Sequence, residues 1–210
     1  MSVLAEIAEL VQKGKAQEVS DLVSKALEEG MASQQILDEG LLKGMGELGV
    51  RFKNNEVFVP EVLIAARALN KGTETLKEKL VGGDIKAIGK VVLATVAGDL
   101  HDIGKNLVKL MLEGTGFEVI DLGTDVPADK IIAAVNEHKP EVLALSALLT
   151  TTMAAQADVI KALEGAGIRG NVKVIVGGAP ITEAFAKEIG ADGYSEDASG
   201  AAEAAKSFIN

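Results

Sequence analysis

Lys90-Val91-Val92-Leu93-Ala94-Thr95-Val96-Ala97 runs directly into Gly98-Asp99-Leu100-His101-Asp102-Ile103-Gly104-Lys105-Asn106, and this stretch decides how the C-terminal half of the chain is built. The first eight residues are a short, β-rich apolar run. The rest is a turn that carries a carboxylate and a histidine into a helical pattern over residues 103–113. The same grammar repeats downstream. Residues 117–122 (FEVIDL), 142–146 (VLALS) and 172–176 (VKVIV) are further short apolar runs, and a short strand is expected near 192–194. Helical stretches separate them over 128–137 and 151–165, and after Pro180 and Glu196. Strands that alternate with helices pack as a parallel sheet covered on both faces. Five strands in this length predict the flavodoxin-like order 2-1-3-4-5, with its switch point between strands one and three. A ligand is therefore expected where the loops 98–103 and 147–152 diverge.

Upstream the pattern is helical. Leu4, Ile7, Ala8 and Val11 share one helix face, closed by Gly14, and Val19, Leu22, Val23, Ala26 and Leu27 share a second. Ser33 is placed to cap a third helix carrying Ile36, Leu37, Leu41, Leu42 and Met45. Pro60 suits the first turn of a fourth, with Val62, Leu63, Ala66 and Leu69. The fold class is thus α/β: an N-terminal four-helix bundle over residues 1–82, then a flavodoxin-like (Rossmann-like) five-stranded domain over 83–210. Gly82-Gly83-Asp84 reads as a hinge between them.

Composition narrows the chemistry. The chain of 210 residues is 48% hydrophobic yet only 3% aromatic, so small aliphatic residues must fill the interior. A formal charge of −10 argues against nucleic acid or anionic membrane as partners. Without cysteine there is no thiolate zinc or iron–sulfur site, and two histidines, His101 and His138, do not make a multi-histidine metal centre. The N-terminus lacks a basic region followed by an apolar run, and no apolar stretch spans a bilayer, so the expected location is the cytoplasm.

Three loops carry the functional signal. A carboxylate two residues before a histidine on a tight turn can bond one imidazole nitrogen and aim the other outward, the usual support for a metal-bound histidine. Gly104 leaves room at the start of the next helix. The loop after strand three, Ser146-Ala147-Leu148-Leu149-Thr150-Thr151-Thr152, adds hydroxyls, of which at least one can be a helix cap. Gly177-Gly178 after strand four suits either a slot for a flat ligand or a tight turn. Gly44-Met45-Gly46-Glu47-Leu48-Gly49 satisfies a dinucleotide-binding string, but no strand precedes it, so its context fails.

Asp99-x-His101-x-x-Gly104, Ser146-x-Leu148 and Gly177-Gly178, in this order, resemble the signatures of the cobalamin-binding domain of methionine synthase, corrinoid mutases and corrinoid methyltransferase subunits. The resemblance implies a corrinoid cofactor (methylcobalamin or a related cobamide) whose cobalt takes His101 as lower ligand, with the cofactor's own base displaced. It implies Asp99 as hydrogen-bond partner of His101, and Thr152 at a position where methionine synthase has a serine. A threonine hydroxyl makes the same bond, with a methyl that restricts its rotamer. Asp102, Ile103 and Gly104 would adjoin the cofactor. Ser146 and Thr150 would meet its buried nucleotide tail, Leu148 would also bind the cofactor, Gly177 and Gly178 would line the slot, and Tyr194 falls where tail contacts also occur.

Gly44-Met45, Gly49, Phe52, Phe58-Val59-Pro60-Glu61 and Ala65-Ala66-Arg67 resemble the helical cap of methionine synthase and of methyltransferase corrinoid proteins, which implies that Phe52 and Val59 would cover the methyl face. A cap and a cobalamin domain together imply a methyl carrier. Its implied partners are a substrate-specific methyltransferase, a methylcorrinoid:acceptor methyltransferase using tetrahydrofolate or a thiol, and a reductive activation protein. A regulatory or sensory cobalamin module shares the domain, but the sequence shows no DNA-binding helix-turn-helix. The small subunit of an adenosylcobalamin mutase shares the C-terminal motifs and needs no methyl-facing cap.

Overall fold

The computed structural model describes residues 2–79 and 86–209. The chain divides into two compact units, one built on Met1–Ala87 and the other on Ile88–Glu113 and Phe117–Asn210. The expected division at 82/83 and the Gly82-Gly83 hinge lie outside the described residues.

Four helical rods form the first unit. Helix α1 (Val3–Gln12) starts at Ser2, whose hydroxyl accepts from the Ala5 amide at 3.3 Å. It is followed by α2 (Ala16–Glu28), then by α3 (Ser33–Ile36), which continues through a π-helical segment (Leu37–Leu42) into α4 (Lys43–Lys53). The fourth rod is α5 (Val59–Lys79), with Pro60 in its first turn, where a missing amide hydrogen costs nothing. The expected Ser33 cap is corrected: Ala32 occupies the capping position without a side-chain bond, and Ser33 is already helical. Ile7, Val11, Val19, Val23, Ile36, Leu41, Met45, Leu48, Val62 and Leu76 fill the core, each contributing about 1.5–3 kcal/mol by leaving water. The third rod buries residues in pairs four apart: Ile36/Leu37, Gly40/Leu41, Gly44/Met45 and Leu48/Gly49. That repeat is longer than the α-helical turn, and the wider π-helical turn absorbs part of the difference. Gly44 lets α4 touch α1 backbone to backbone. A side chain there would begin 2.5 Å from the Ala8 carbonyl oxygen, so this glycine serves packing, not a dinucleotide.

The second unit is a parallel sheet of β1 (Lys90–Thr95), β2 (Glu118–Asp121), β3 (Val142–Ser146), β4 (Lys173–Gly177) and β5 (Gly193–Ser195), in the expected order β2-β1-β3-β4-β5. Between and after the strands run α6 (Ile103–Thr115), α7 (Ala128–His138), α8 (Ala154–Gly165), α9 (Glu183–Glu188) and α10 (Ala198–Ser207). Period-two alternation sorts the strand residues onto two faces. Val92, Ala94, Val96, Leu143, Leu145, Val174 and Val176 pack against α7, α8 and α9 in one apolar core. The opposite face turns toward α6 and α10. There Thr95, Ser146, Gly177 and Ser195 stand side by side in register at the strand exits, a row of small residues across four strands.

Candidate functional site

The site grows from the carboxylate of Asp99, which is fully buried at the exit of β1. Its Oδ1 accepts from the His101 amide at 3.0 Å and meets the His101 Nδ1 at 2.8 Å. Its Oδ2 accepts from the Leu148 amide and from the Thr152 hydroxyl, both at 2.7 Å. Burial alone would raise the Asp99 carboxyl. The Thr152 hydroxyl, the Leu148 amide, and the amide and imidazole of His101 outweigh it and hold the group well below the usual carboxylate range. An ionised carboxylate only accepts, so Nδ1 carries the hydrogen in this bond, and in the neutral imidazole the lone pair is on Nε2. The imidazole is half exposed, which leaves that lone pair to a ligand.

Thr152 connects two loops. Its hydroxyl is 2.7 Å from Asp99 and 3.0 Å from the Leu149 carbonyl oxygen, and one proton serves one acceptor. The ionised partner at the shorter distance takes it. The threonine methyl sits 3.7 Å from where a Gly98 side chain would begin, so the rotamer that reaches Asp99 is free of a clash there. The Thr95 hydroxyl donates to the His101 carbonyl oxygen at 3.0 Å and ties the row of small residues to the histidine loop.

Around the imidazole the surface is apolar. Leu100 is 73% exposed and Ile103 79%, and Leu148 and Leu149 add two more uncovered side chains from the facing loop. Space beside Gly104 is open to solvent. The Asp102 carboxylate accepts from the Asn106 side-chain amide at 3.1 Å at the start of α6. Thr150 is exposed on the turn before α8. Gly178, at φ 126°, crosses the β3 loop so closely that a side chain would begin 1.8 Å from the Ala147 oxygen, which accounts for this glycine as a turn.

One expected grouping does not form. Tyr194 packs against the core on the α7–α9 face, because its register neighbour is Val176, which lies on that face beside Leu145. Ser195, one residue later, stands beside Gly177 instead. In the helical unit Phe52 is partly buried and Val59 is 37% exposed, so neither belongs to that unit's sealed core. Sequence reasoning missed Thr95, Leu100, Leu149 and Ser195. Leucines on a turn between polar residues were a readable sign of apolar surface; the two hydroxyls needed the strand register.

Residues 89–203 match the family model described as B12 binding domain, and residues 3–77 match a second model of that description. Over 206 residues the chain is 43% identical to dimethylamine corrinoid protein 3 of Methanosarcina acetivorans, covering 98% of this chain and 96% of that one. The chain belongs to the corrinoid-protein family. Another member of this corrinoid family, the trimethylamine corrinoid protein of Methanosarcina barkeri, is 38% identical over 210 residues, covering 99% and 97%. The crystal structure of the methanol:cobalamin methyltransferase complex MtaBC from Methanosarcina barkeri superposes with a TM-score of 0.90 at 35% identity, covering 99% of this chain and 79% of that one. The cofactor of this corrinoid-family chain is a cobalt corrinoid, and the site fits one. A neutral imidazole nitrogen suits cobalt, an apolar rim suits the face of a macrocycle, and the small row leaves room on one face of the sheet. Among the described residues no cluster of three or more His, Asp or Glu side chains offers a rival metal site, and no helix is long and apolar enough to cross a membrane.

Proposed function

We propose that this chain is the methyl-carrying subunit of a corrinoid methyltransferase system, with His101 as the protein ligand to cobalt. The observation that carries this reading is the fourfold-bonded Asp99 carboxylate, which engages Nδ1 of His101 and leaves Nε2 as the nitrogen for cobalt. When bound, the corrinoid supplies a cobalt centre that takes up a methyl group when reduced and yields it to an acceptor.

The residues divide the remaining work. Asp99 orients the imidazole and, by its charge, makes it a stronger donor; it also stabilises the imidazolium whenever the ring is released and protonated. Thr152 fixes the far oxygen of Asp99. Leu100, Ile103, Leu148 and Leu149 exclude water from the ring face, and Gly104 gives it space. Ser146 and Gly177, with Thr95 and Ser195, accommodate the displaced nucleotide tail. In the helical unit, Phe52 and Val59 are the residues that would shield a cobalt-bound methyl group. Breaking a C–N or C–O bond requires activation of the leaving group, and in this reading that task falls to a substrate-specific methyltransferase, as the methanol:cobalamin methyltransferase complex described above suggests. A second methyltransferase removes the methyl group to tetrahydrofolate or a thiol, and a reductive activation protein restores oxidised cofactor. The curated relatives described above favour methylamines as donors.

Electron paramagnetic resonance of the cobalt(II) holoprotein, carrying 15N-histidine, tests the ligand. Coupling to a histidine nitrogen is expected; coupling solely to the cofactor's own base rejects the reading. The carrier role is tested by absorbance changes on adding dimethylamine, trimethylamine or methanol with the cognate methyltransferase. Methylation by a natural donor in the absence of any partner would make the chain itself the enzyme.

A further inference from the structure

The loop that presents His101 is held from a second side. We infer that Asp125, on the β2–α7 connection, is a positioning residue for the cobalt ligand; this rests on the His101 reading above. Asp125 Oδ1 accepts from the Gly98 amide at 2.7 Å, and the Asp125 amide donates to the Asp99 carbonyl oxygen at 2.9 Å. One residue therefore grips the two peptide groups that flank the start of the histidine loop, one through its side chain and one through its backbone.

The grip has a conformational cost that the surroundings sustain. Asp125 has φ 52°, in the left-handed region that aspartate and asparagine tolerate better than other non-glycine residues. In that conformation its amide and its side-chain oxygen face the same stretch of neighbouring chain. The connection is anchored on both sides of this point. The Thr95 amide donates to the Gly123 oxygen at 2.9 Å, and the Val126 amide donates to the Thr95 oxygen at 3.1 Å. Asp125 is thus a rigid abutment rather than a loose tip.

Its lever on the ligand is Asp99. The Asp99 carboxylate is set by Leu148 and Thr152, while the Asp99 peptide is set by Asp125. Carboxylate and peptide must both be fixed for Oδ1 to meet Nδ1 of His101 at 2.8 Å. Releasing the peptide lets the carboxylate keep its bonds to Leu148 and Thr152 while the imidazole swings off its line. Both bonds of Asp125 go to backbone groups of the loop, so it acts on the imidazole through the loop.

The test uses full-length holoprotein with 15N-histidine in a His138→Gln background, so that the label reports His101 alone. Asp125→Gly removes the side-chain acceptor and relieves the left-handed backbone; Asp125→Asn keeps both an acceptor oxygen and the tolerance for that conformation. Expected is a roughly tenfold fall in the ratio of histidine-bound to histidine-free cobalt(II) for Asp125→Gly, the size of one lost hydrogen bond to a charged group. Asp125→Asn is expected to lie within about twofold of the parent. In the apoprotein, the Gly98 amide should exchange with deuterium at least about tenfold faster in Asp125→Gly. Asp192→Asn is the control for general destabilisation. Asp192 binds Arg169, Lys173 and the Val174 amide just before the edge strand β5, whereas His101 follows the exit of the interior strand β1. It should lower the unfolding midpoint without moving the ratio. If parent and Asp125→Gly share one ratio, or if Asp192→Asn shifts it equally, Asp125 has no positioning role. If the parent itself shows no histidine coupling, the ligand reading fails and this inference falls with it.

Discussion

At Asp99, four donors converge on two oxygens, and no substitution of equal size reproduces that pattern. Asparagine in this place must turn its NH2 toward one pair of donors. If it faces Oδ2's partners, Thr152 can rotate and donate to Leu149 instead, but the Leu148 amide has no such freedom and meets a hydrogen head-on. Asp99→Asn is expected to cost about 1–3 kcal/mol of stability, read as a lowered urea midpoint, and to reduce the histidine-bound fraction of cobalt(II). Superimposable spectra in the two proteins would remove the Asp99 charge from ligand control. Residues at this scale were unevenly legible. Asp99 and His101 are two positions apart and meet through local geometry, so their spacing announces them. Thr152 is 53 positions from Asp99, and its place in the hydrogen-bonded chain emerges from the fold and the resemblance together. Asp125 acts partly through its backbone amide, which no residue type encodes.

The elements explain where room for a ligand exists. Strands β1, β3 and β4 were readable as short apolar runs because burial on both faces removes polar alternation. That same uniformity hid which face each residue takes. Tyr194 and Ser195 exchange roles on a shift of one position, a distinction that requires register. Ser33 misled for a related reason: a hydroxyl near a helix start is a common cap, but the helix begins one residue early with Ala32 in that position. The row Thr95, Ser146, Gly177 and Ser195 carries an element-level prediction. Ser146→Leu should leave apoprotein unfolding within about 1 kcal/mol of the parent yet weaken corrinoid binding by a hundredfold or more, about 2.7 kcal/mol. Spectroscopic titration of apoprotein with cobalamin checks it, and unchanged affinity would place the nucleotide tail elsewhere.

Across the whole molecule the carboxylates that hold loops together set the response to acid. Lys105, almost wholly buried in the first turns of α6, binds both oxygens of Asp121 at 2.7 and 2.6 Å, with Gly123 donating to the same group. Burial would raise the Asp121 carboxyl, but the Lys105 and Gly123 bonds, with the charges of Lys105 and Lys109, hold it low. Asp192 is likewise held low against burial by the Val174 amide, Arg169 and Lys173. A carboxyl depressed in the folded state contributes stability above its unfolded value near 3.9, and that contribution disappears as pH falls toward the folded value. Stability should therefore drop steeply below about pH 4. Asp121→Asn should lower stability at neutral pH by about 3 kcal/mol, because it strands the Lys105 charge, and should flatten the acid slope. Urea midpoints between pH 7 and pH 3 measure both; parallel curves for parent and variant would show that Asp121 is not depressed.

The π-helical turn at Leu37–Leu42 makes the third rod of the helical unit tolerant of shortening and intolerant of lengthening. Its buried pairs recur every fourth residue, whereas an α-helix advances about 40° too far over each such interval. Deleting Glu39, exposed on the wide turn, changes the first interval to three and brings the mean spacing to about 3.7, close to a plain α-helix. The excision should regularise the rod and leave the unfolding midpoint nearly unmoved. An alanine inserted after Glu39 stretches the interval to five and rotates Met45 and Leu48 out of the core, a loss that thermal unfolding would register at once. Natural variation in length along this rod should run in one direction, toward loss of a residue and the simpler helix.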